Sequence, residues 1–271
     1  MSLSDELKAL ILGIVEGLTE YLPVSSTGHL ILAGQALDYT GEKAHFFEVF
    51  IQLGAILAVV VLYPRFFLNL FNFSETKKYR HSFYGLDGLL KLFCGIFPIL
   101  AVGYLFHSHI KDKLFNPATV AVGLIVGALF ILFVENRRPI VRRTSIAEIT
   151  LKDCFLVGLF QCMALWPGMS RSASTIIGAL LIGFDRKLAA EFSFLLAVPV
   201  MVIAVSYDVY KNYHLLGFED IPVFAIGFVT SFIFAMLAIK VFLKFLQSHN
   251  FKVFAYYRIL LACTVFYLLQ R

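Results

Sequence analysis

The feature that most constrains the fold of this chain is its series of long apolar segments. A helix needs about 20 predominantly apolar residues to cross the hydrocarbon core of a bilayer. Six segments reach or approach this length: 44–63, 89–107, 118–135, 188–209, 221–243 and 253–269. Only 15% of the 271 residues are charged, whereas ordinary soluble domains carry about 25%. The sequence therefore predicts an all-α polytopic membrane protein with six transmembrane helices.

Two further apolar regions are each interrupted by a polar break that contains proline and glycine. In the first interrupted region (7–37), apolar arms at 7–22 and 30–37 flank the first break, PVSSTGH (23–29). In the second (153–184), arms at 153–166 and 175–184 flank the second break, PGMSRSAS (167–174). Proline and glycine end helices, and broken helices at membrane depth must be enclosed by protein or line a cavity. We therefore expect each interrupted region to form a re-entrant helical hairpin.

The two interrupted regions correspond in position. A shift of 145 residues superposes four pairs: Gly13 on Gly158, Glu16 on Gln161, Tyr21 on Trp166, and Ser25 on Ser170. Each half then contains one hairpin and three spans, over approximately 7–135 and 153–269 of a single membrane domain, 1–271. Because three is an odd number, the two halves must have opposite orientations. Such an inverted-topology repeat is typical of transporters, whose binding sites lie where paired broken helices meet.

The basic residues indicate how the chain is oriented. With the N-terminus outside, fourteen lysines and arginines lie on the inner side and six on the outer side. Because basic residues accumulate in cytoplasmic loops, we expect both termini outside and cytoplasmic loops at 64–88, 136–152, 184–187 and 244–252. Membrane orientation then accounts for the net charge of +5, and nucleic acid is not an expected partner. The four cysteines show no CxxC pairing, so no disulfide framework is expected.

Two acidic residues stand out in the first interrupted region. Glu16 and Glu20 are four residues apart, so they project from one face of a helix. Two ionised carboxylates this close repel each other, and a low-dielectric setting increases the cost. A divalent cation, an arginine or a bound proton would compensate. An ionisable residue inside a membrane segment is by default a functional candidate, and the alternative is that both acids are hydrated near the outer surface.

Hydroxyl groups and a histidine follow in the first break. Ser25, Ser26 and Thr27 precede the second helical arm, although one hydroxyl suffices to cap a helix. The free N–H groups at a helix start, together with hydroxyls, form a ready anion site. His29 can exchange a proton near neutral pH, although a lone histidine in a membrane protein is often structural.

The second break supplies the positive charge that the first break lacks. Arg171 is the only arginine or lysine in either break, and it lies between Ser170 and Ser172. A guanidinium at membrane depth needs a partner, and its planar fork suits phosphate oxygens. A structural ion pair with Glu16 or Glu20 is the alternative. Together the carboxylates, hydroxyls, histidine and arginine indicate a phosphoryl-transfer site for an anionic lipid.

Two long motifs carry a resemblance to a known family. The segments EGLTEYLPVSSTGHL (16–30) and PGMSRSASTIIGALLIGFDR (167–186) resemble the undecaprenyl pyrophosphate phosphatase family of bacteria, and the likeness covers essentially the whole chain. It implies a plasma-membrane enzyme that removes one phosphate from undecaprenyl pyrophosphate, so that the monophosphate carrier is reused for cell-wall synthesis. It also implies a divalent cation (Mg²⁺ or Ca²⁺), bacitracin resistance and a site open to the outer face. The residues leave open whether the chain forms a homodimer.

Carried over by position, the resemblance implies catalytic roles for five residues. Glu16 and Glu20 would bind the metal or act in acid–base catalysis, and Arg171 would clamp the phosphates. We expect Ser26 to attack phosphorus, with His29 and Glu20 assisting. His29 itself or a metal-bound water remains an alternative nucleophile.

Five further residues are expected to bind the substrate phosphates: Ser25, Thr27, Ser170, Ser172 and Thr175.

A transporter or flippase for the lipid carrier is the alternative function, because inverted repeats with broken helices also serve alternating access. Phosphatidic acid phosphatases of type 2 are excluded, because Ile177 stands where that class needs a histidine. The roles of the matched acids Glu48 and Glu191 stay open.

Overall fold

The structure, a computed structural model, describes residues 3–73, 83–114, 116–137 and 139–269. These residues fold into α-helices and short 3₁₀ turns and contain no regular strand, only an isolated bridge between Arg143 and Phe184. The α-helices are α1 (Asp5–Thr19), α2 (Ser26–Ala36), α3 (Glu42–Leu62), α4 (Pro64–Leu70), α5 (Gly85–Leu114), α6 (Pro117–Arg137), α7 (Leu151–Gln161), α8 (Arg171–Ile182), α9 (Arg186–Asn212), α10 (Ile221–Phe245) and α11 (Lys252–Leu269). The predicted all-helical class is confirmed.

Five helical segments of the described chain are long and apolar enough to cross a membrane: Glu42–Leu62, Gly85–Phe106, Pro117–Arg137, Arg186–Leu215 and Phe218–Phe245. They contain α3, α6, α9 and α10 and most of α5, so five of the six predicted spans are confirmed as apolar, membrane-length helices. The sixth predicted span coincides with α11, which does not meet this criterion within the described residues. Six spans therefore stay a prediction.

Both interrupted regions contain a break between two helices, but each second arm begins earlier than expected. Helix α2 begins at Ser26 and α8 at Arg171, each four residues before the predicted start. The residues just before them, Ser25 and Ser170, have φ values of 70° and 71°, in the left-handed region. Each serine side chain accepts a hydrogen bond from a backbone N–H in the first turn of the following helix. This capping lets helix formation resume directly after a sharp change of chain direction.

Packing brings the two interrupted regions into the interior. Helix α1 packs most extensively against α10, while α7 packs against α5, and α6 packs against α11. Helix α9 lies in the most enclosed of the membrane-length segments, in which 72% of an 18-residue apolar stretch is buried. It contacts α3 and α8. The site described below lies among α1, α2, α8 and α9.

Several helices around this interior expose apolar side chains on the outer surface of the protein. Leu57 and Val61 of α3 and Phe93 and Phe97 of α5 are exposed, as expected for helix faces that meet lipid.

The predicted cytoplasmic loop 64–88 is described only in part, and it contains the unpredicted helix α4. Five basic residues used in the orientation argument lie outside the described residues: Lys77, Lys78, Arg80, Arg138 and Arg271.

Candidate active site

Glu20 is one point at which the two interrupted regions make contact. It caps the end of α1, and its Oε1 accepts a hydrogen bond of 3.0 Å from Nη2 of Arg171, at the start of α8. Its Oε2 accepts a hydrogen bond of 2.5 Å from the hydroxyl of Ser26, at the start of α2. One buried carboxylate therefore joins a hydroxyl of the first break to the arginine of the second.

Arg171 is held in place on several sides. Its Nη1 donates to the carbonyl oxygen of Ser193 in α9 at 2.9 Å, and its guanidinium lies 5.5 Å from the ring centre of Tyr21. Its Nε is buried and has no hydrogen-bond partner in the described part of the chain. A guanidinium with one unused donor in a low-dielectric interior is a strong attractor for an oxyanion.

Glu16 lies one helical turn before Glu20 and is completely buried. Neither of its carboxylate oxygens has a hydrogen-bond partner among the described residues. Glu20, one turn later on the same face of α1, adds a second acidic side chain nearby. A buried carboxylate without partners is costly, so Glu16 requires a proton or a cation.

The hydroxyls of the first break differ in their surroundings. Ser25 accepts a hydrogen bond of 3.4 Å from the backbone N–H of Gly28, so it acts as the cap of α2. Ser26 is buried and bound to Glu20. Thr27 is exposed, and its hydroxyl makes no hydrogen bond within the described residues. The structure therefore brings Ser26 into the cluster and leaves Thr27 outside it.

His29 does not occupy the position expected for the base that serves Ser26. Its Nδ1 donates to the carbonyl oxygen of Ser25 at 2.8 Å. In the neutral ring Nε2 is therefore an acceptor, and it lies 2.7 Å from the hydroxyl of Tyr257 in α11. The two rings are stacked with an interplanar angle of 7°. In this structure the Ser26 hydroxyl donates to Glu20, and both imidazole nitrogens are engaged elsewhere. The assistance of His29 to Ser26 stays a prediction.

The hydroxyls of the second interrupted region bond within the protein. Ser170 and Ser172 share a hydrogen bond of 3.0 Å, and Ser172 also donates to the carbonyl oxygen of Leu22 at 2.7 Å. Thr175 donates to the carbonyl oxygen of Arg171 at 2.9 Å and lies 2.6 Å from the hydroxyl of Ser193. In this structure these side chains support Arg171 and join the breaks, and direct phosphate binding by them stays a prediction.

Arg258 of α11 was missed by the sequence analysis. Its side chain is completely buried, and it donates hydrogen bonds to the carbonyl oxygens of Pro23 in the first break and of Gly168 and Met169 in the second. A signal was available, because a lone arginine inside an apolar helix is rare and by default functional. Ser193 and Tyr257 carried no comparable signal, since serine and tyrosine are common in such helices.

The chain is similar to known proteins over nearly its whole length. The family described as "Bacitracin resistance protein BacA" matches residues 9–264. "Undecaprenyl-diphosphatase 1" of Bacillus thuringiensis subsp. konkukian (strain 97-27) is 48% identical over 269 residues, which cover 98% of this chain and 100% of the relative. "Undecaprenyl-diphosphatase" of Maridesulfovibrio salexigens is 52% identical over 260 residues, covering 96% of this chain and 97% of the relative. The family match includes all of the second interrupted region and residues 9–37 of the first.

Proposed function

Because this chain belongs to the BacA bacitracin resistance family, we propose that it hydrolyses undecaprenyl diphosphate in the site between its two breaks. The chain is a membrane hydrolase, an undecaprenyl-diphosphatase. The products are undecaprenyl phosphate and inorganic phosphate. The observation that carries the assignment of the site is the contact of Glu20 with both Ser26 and Arg171.

Ser26 is the proposed nucleophile, and Glu20 is the proposed base. The Ser26 hydroxyl already donates to Glu20 Oε2 at 2.5 Å, so its proton moves to that carboxylate as Oγ attacks the terminal phosphorus. The bond from this phosphorus to the bridging oxygen breaks, and undecaprenyl phosphate leaves with the electron pair. Undecaprenyl phosphate takes the proton from Glu20 as it leaves. Water then attacks the phosphoserine with Glu20 again as the base, the bond from phosphorus to Ser26 Oγ breaks, and Glu20 returns the proton to Oγ as phosphate is released. Among the described contacts no other carboxylate meets the Ser26 hydroxyl.

Arg171 is the proposed phosphate-binding residue. Its unpartnered Nε is available to a substrate oxygen, and Nη2 can exchange Glu20 for phosphate when Glu20 takes up the proton. Protonation removes the negative charge of Glu20, and the phosphate then replaces it as the anionic partner of Arg171. Each of these two events therefore favours the other. A preorganised guanidinium of this kind stabilises the charge that develops on phosphoryl oxygens.

Glu16 is the proposed ligand of a divalent cation. Its two buried oxygens without partners fit such an ion, whereas both oxygens of Glu20 are occupied by protein groups. No group of three His, Cys, Asp or Glu side chains suited to a metal occurs in the described ranges. Magnesium is commonly held by one or two carboxylates together with substrate phosphate and water. When bound, the cation would neutralise phosphate charge, and Glu20 would contribute to it only after releasing Arg171.

The six-span inverted repeat with two re-entrant hairpins is proposed from the same structure. Ser25 and Ser170, which the 145-residue shift superposes, share a positive φ and a capping role. The helix contacts are also reciprocal, since α1 of the first half packs on α10 and its counterpart α7 packs on α5, the counterpart of α10. Equivalent helices meet directly in the pairs α3 with α9 and α6 with α11.

The proposed orientation places both termini and the site on the outer face. Segments expected outside are joined to each other: Lys43 forms an ion pair of 2.5 Å with Asp220, and Lys8 donates to the carbonyl oxygen of Asp38. Segments expected inside are joined likewise, since Arg186 binds Glu135 at 2.6 Å. Hydrolysis on the outer face would return the monophosphate carrier to cell-wall synthesis. A homodimer stays a prediction.

Labelled substrate tests this proposal. Purified protein in detergent is mixed with a prenyl diphosphate labelled in its terminal phosphate, quenched at short times and digested. We expect phosphate release and a base-labile, acid-stable label on Ser26. An acid-labile label on His29 would move the nucleophile to the imidazole, and release without any label would favour direct attack by water. Binding without phosphate release would instead support a transporter of the carrier.

A further inference from the structure

The side chain of Arg258 uses every one of its donors on backbone carbonyl groups. Its Nε donates to Leu124, and its Nη1 donates to Pro23 and Met169. Its Nη2 donates to Gly123 and Gly168. All five distances fall between 2.9 and 3.2 Å. A guanidinium has five N–H groups, so no donor is left over.

These five carbonyl groups belong to three separate parts of the chain. Pro23 lies in the first break, Gly168 and Met169 lie in the second break, and Gly123 and Leu124 lie in α6. Pro23 is two residues before Ser25. Met169 directly precedes Ser170. One side chain therefore connects the backbones from which both capping serines and both site helices start.

The sequence around Arg258 leaves room for the guanidinium. A methyl group at Gly127 of α6 would overlap Nη2 and Cζ of Arg258. The guanidinium forms no ion pair with a carboxylate in the described ranges of the chain. Burying a guanidinium without a carboxylate partner is costly. The carbonyl groups that it binds therefore indicate the role of Arg258.

We propose that Arg258 is a positioning residue for the active site, which fixes the two breaks relative to each other so that Glu20 meets both Ser26 and Arg171. This inference rests on the proposed function. Arg258 touches no group that is expected to react, so it acts through the backbone of the breaks. Ser172 makes a second link between the two interrupted regions, a single hydrogen bond of 2.7 Å to the carbonyl oxygen of Leu22.

Three variants test the proposal: Arg258→Met, Arg258→Lys and Gly127→Ala. Lysine keeps the charge but has only three donors, and alanine at position 127 displaces the guanidinium without changing Arg258. Exposed Arg65→Met and loosely packed Gly103→Ala serve as matched controls. Phosphate release is measured per folded molecule, and backbone hydrogen exchange is measured without substrate.

Arg258→Met is expected to lower kcat about tenfold or more, because buried carbonyl groups lose their partners. Arg258→Lys and Gly127→Ala should show smaller losses, and KM should stay within about threefold since no substrate contact is removed. Exchange should rise at residues 23–28 and 168–173 but not in α3. Overall destabilisation would instead raise exchange everywhere and leave kcat per folded molecule unchanged.

Unchanged kcat in folded Arg258→Lys and Gly127→Ala would overturn the proposal, even if Arg258→Met does not fold. Unchanged exchange in the two breaks of these variants would overturn it as well. The wild-type protein separates this outcome from failure of the proposed function. If it releases no phosphate, the function fails, while the exchange data still decide whether Arg258 fixes the breaks.

Discussion

The two breaks use the same backbone geometry for different side chains. Ser25 and Ser170 share a positive φ and cap the helix that follows. The next residue, however, is Ser26 in the first break and Arg171 in the second. The helices before the two breaks also differ in charge, because Glu16 of the first corresponds to the neutral Gln161 of the second. A common backbone therefore presents a hydroxyl and an acid from one side and a cation from the other.

This difference teaches how a repeat can build a site that neither half contains. The first interrupted region holds a carboxylate with two unpartnered oxygens, Glu16, and the polarised hydroxyl of Ser26. In the second region the hydroxyls of Ser172 and Thr175 are already bonded inside the protein. Thr175 thereby holds the backbone of Arg171, and Ser172 holds the start of α8 against Leu22. The opposite charges of Glu20 and Arg171 then meet where the two regions contact each other. Each charge reduces the cost of burying the other.

The largest effect is expected where the two regions meet. Arg171→Met and Glu20→Gln should each lower kcat/KM by at least about 100-fold, because the first removes the charge that stabilises the phosphoryl oxygens and the second removes the base for Ser26. Arg142→Met, at an exposed arginine, is the matched control. Phosphate release in detergent measures the effect, and turnover close to wild type in either variant contradicts the assignment.

The next effect tests the difference between Glu16 and Gln161. Glu16→Gln makes the first region like the second, and we expect a loss of about 10- to 100-fold with a weaker response of kcat to added Mg²⁺. Gln161→Ala, the control at the matched position, should keep the wild-type response to Mg²⁺. An unchanged response in Glu16→Gln would remove Glu16 from the proposed metal site.

A smaller effect is expected where a hydroxyl only supports Arg171. Thr175→Val loses the bond to Ser193 and should lower the free energy of unfolding by about 1 kcal/mol. Activity should fall less than about tenfold, because Arg171 keeps its own bond to the Ser193 carbonyl. Thr264→Val, at an exposed threonine, is the control in the same thermal melt. A loss as large as that of Arg171→Met would indicate direct phosphate binding by Thr175.

The smallest effect is expected at Thr27. Its side chain is exposed and lies outside the cluster, so Thr27→Val should change kcat/KM by less than about threefold. Ser26→Ala, one residue away, is the matched comparison and should lose at least about 100-fold. Equal losses in the two variants would support the sequence-based prediction that Thr27 binds the substrate.

Much of the architecture could be predicted from the sequence, because apolar length and helix-breaking residues act locally. The observed α3, α6 and α10 begin and end within two residues of the predicted spans. The need of Arg171 for a partner at membrane depth is also a local argument. It led to Glu16 and Glu20 as candidate partners, and Glu20 is the one that the structure brings to 3.0 Å.

The remaining features depend on tertiary contacts that no local pattern contains. His29 was expected beside Ser26, but Tyr257, 228 residues away in the chain, takes its Nε2. The starts of α2 and α8 were predicted too late, because serine is seldom found at positive φ and nothing in the motif requires it. Arg258 could have been noticed as a charge in an apolar helix, but its carbonyl partners could not.

The contact between Glu20 and Arg171 is the central claim, and a double-mutant cycle tests it most directly. The quantity measured is kcat/KM for phosphate release in the wild type, Glu20→Gln, Arg171→Met and the double variant. Since the two residues act as one unit, the double variant should lose little more than the worse single variant. A loss equal to the product of the single losses, on the order of 10⁴-fold, would mean that the two residues act independently and would contradict the shared site.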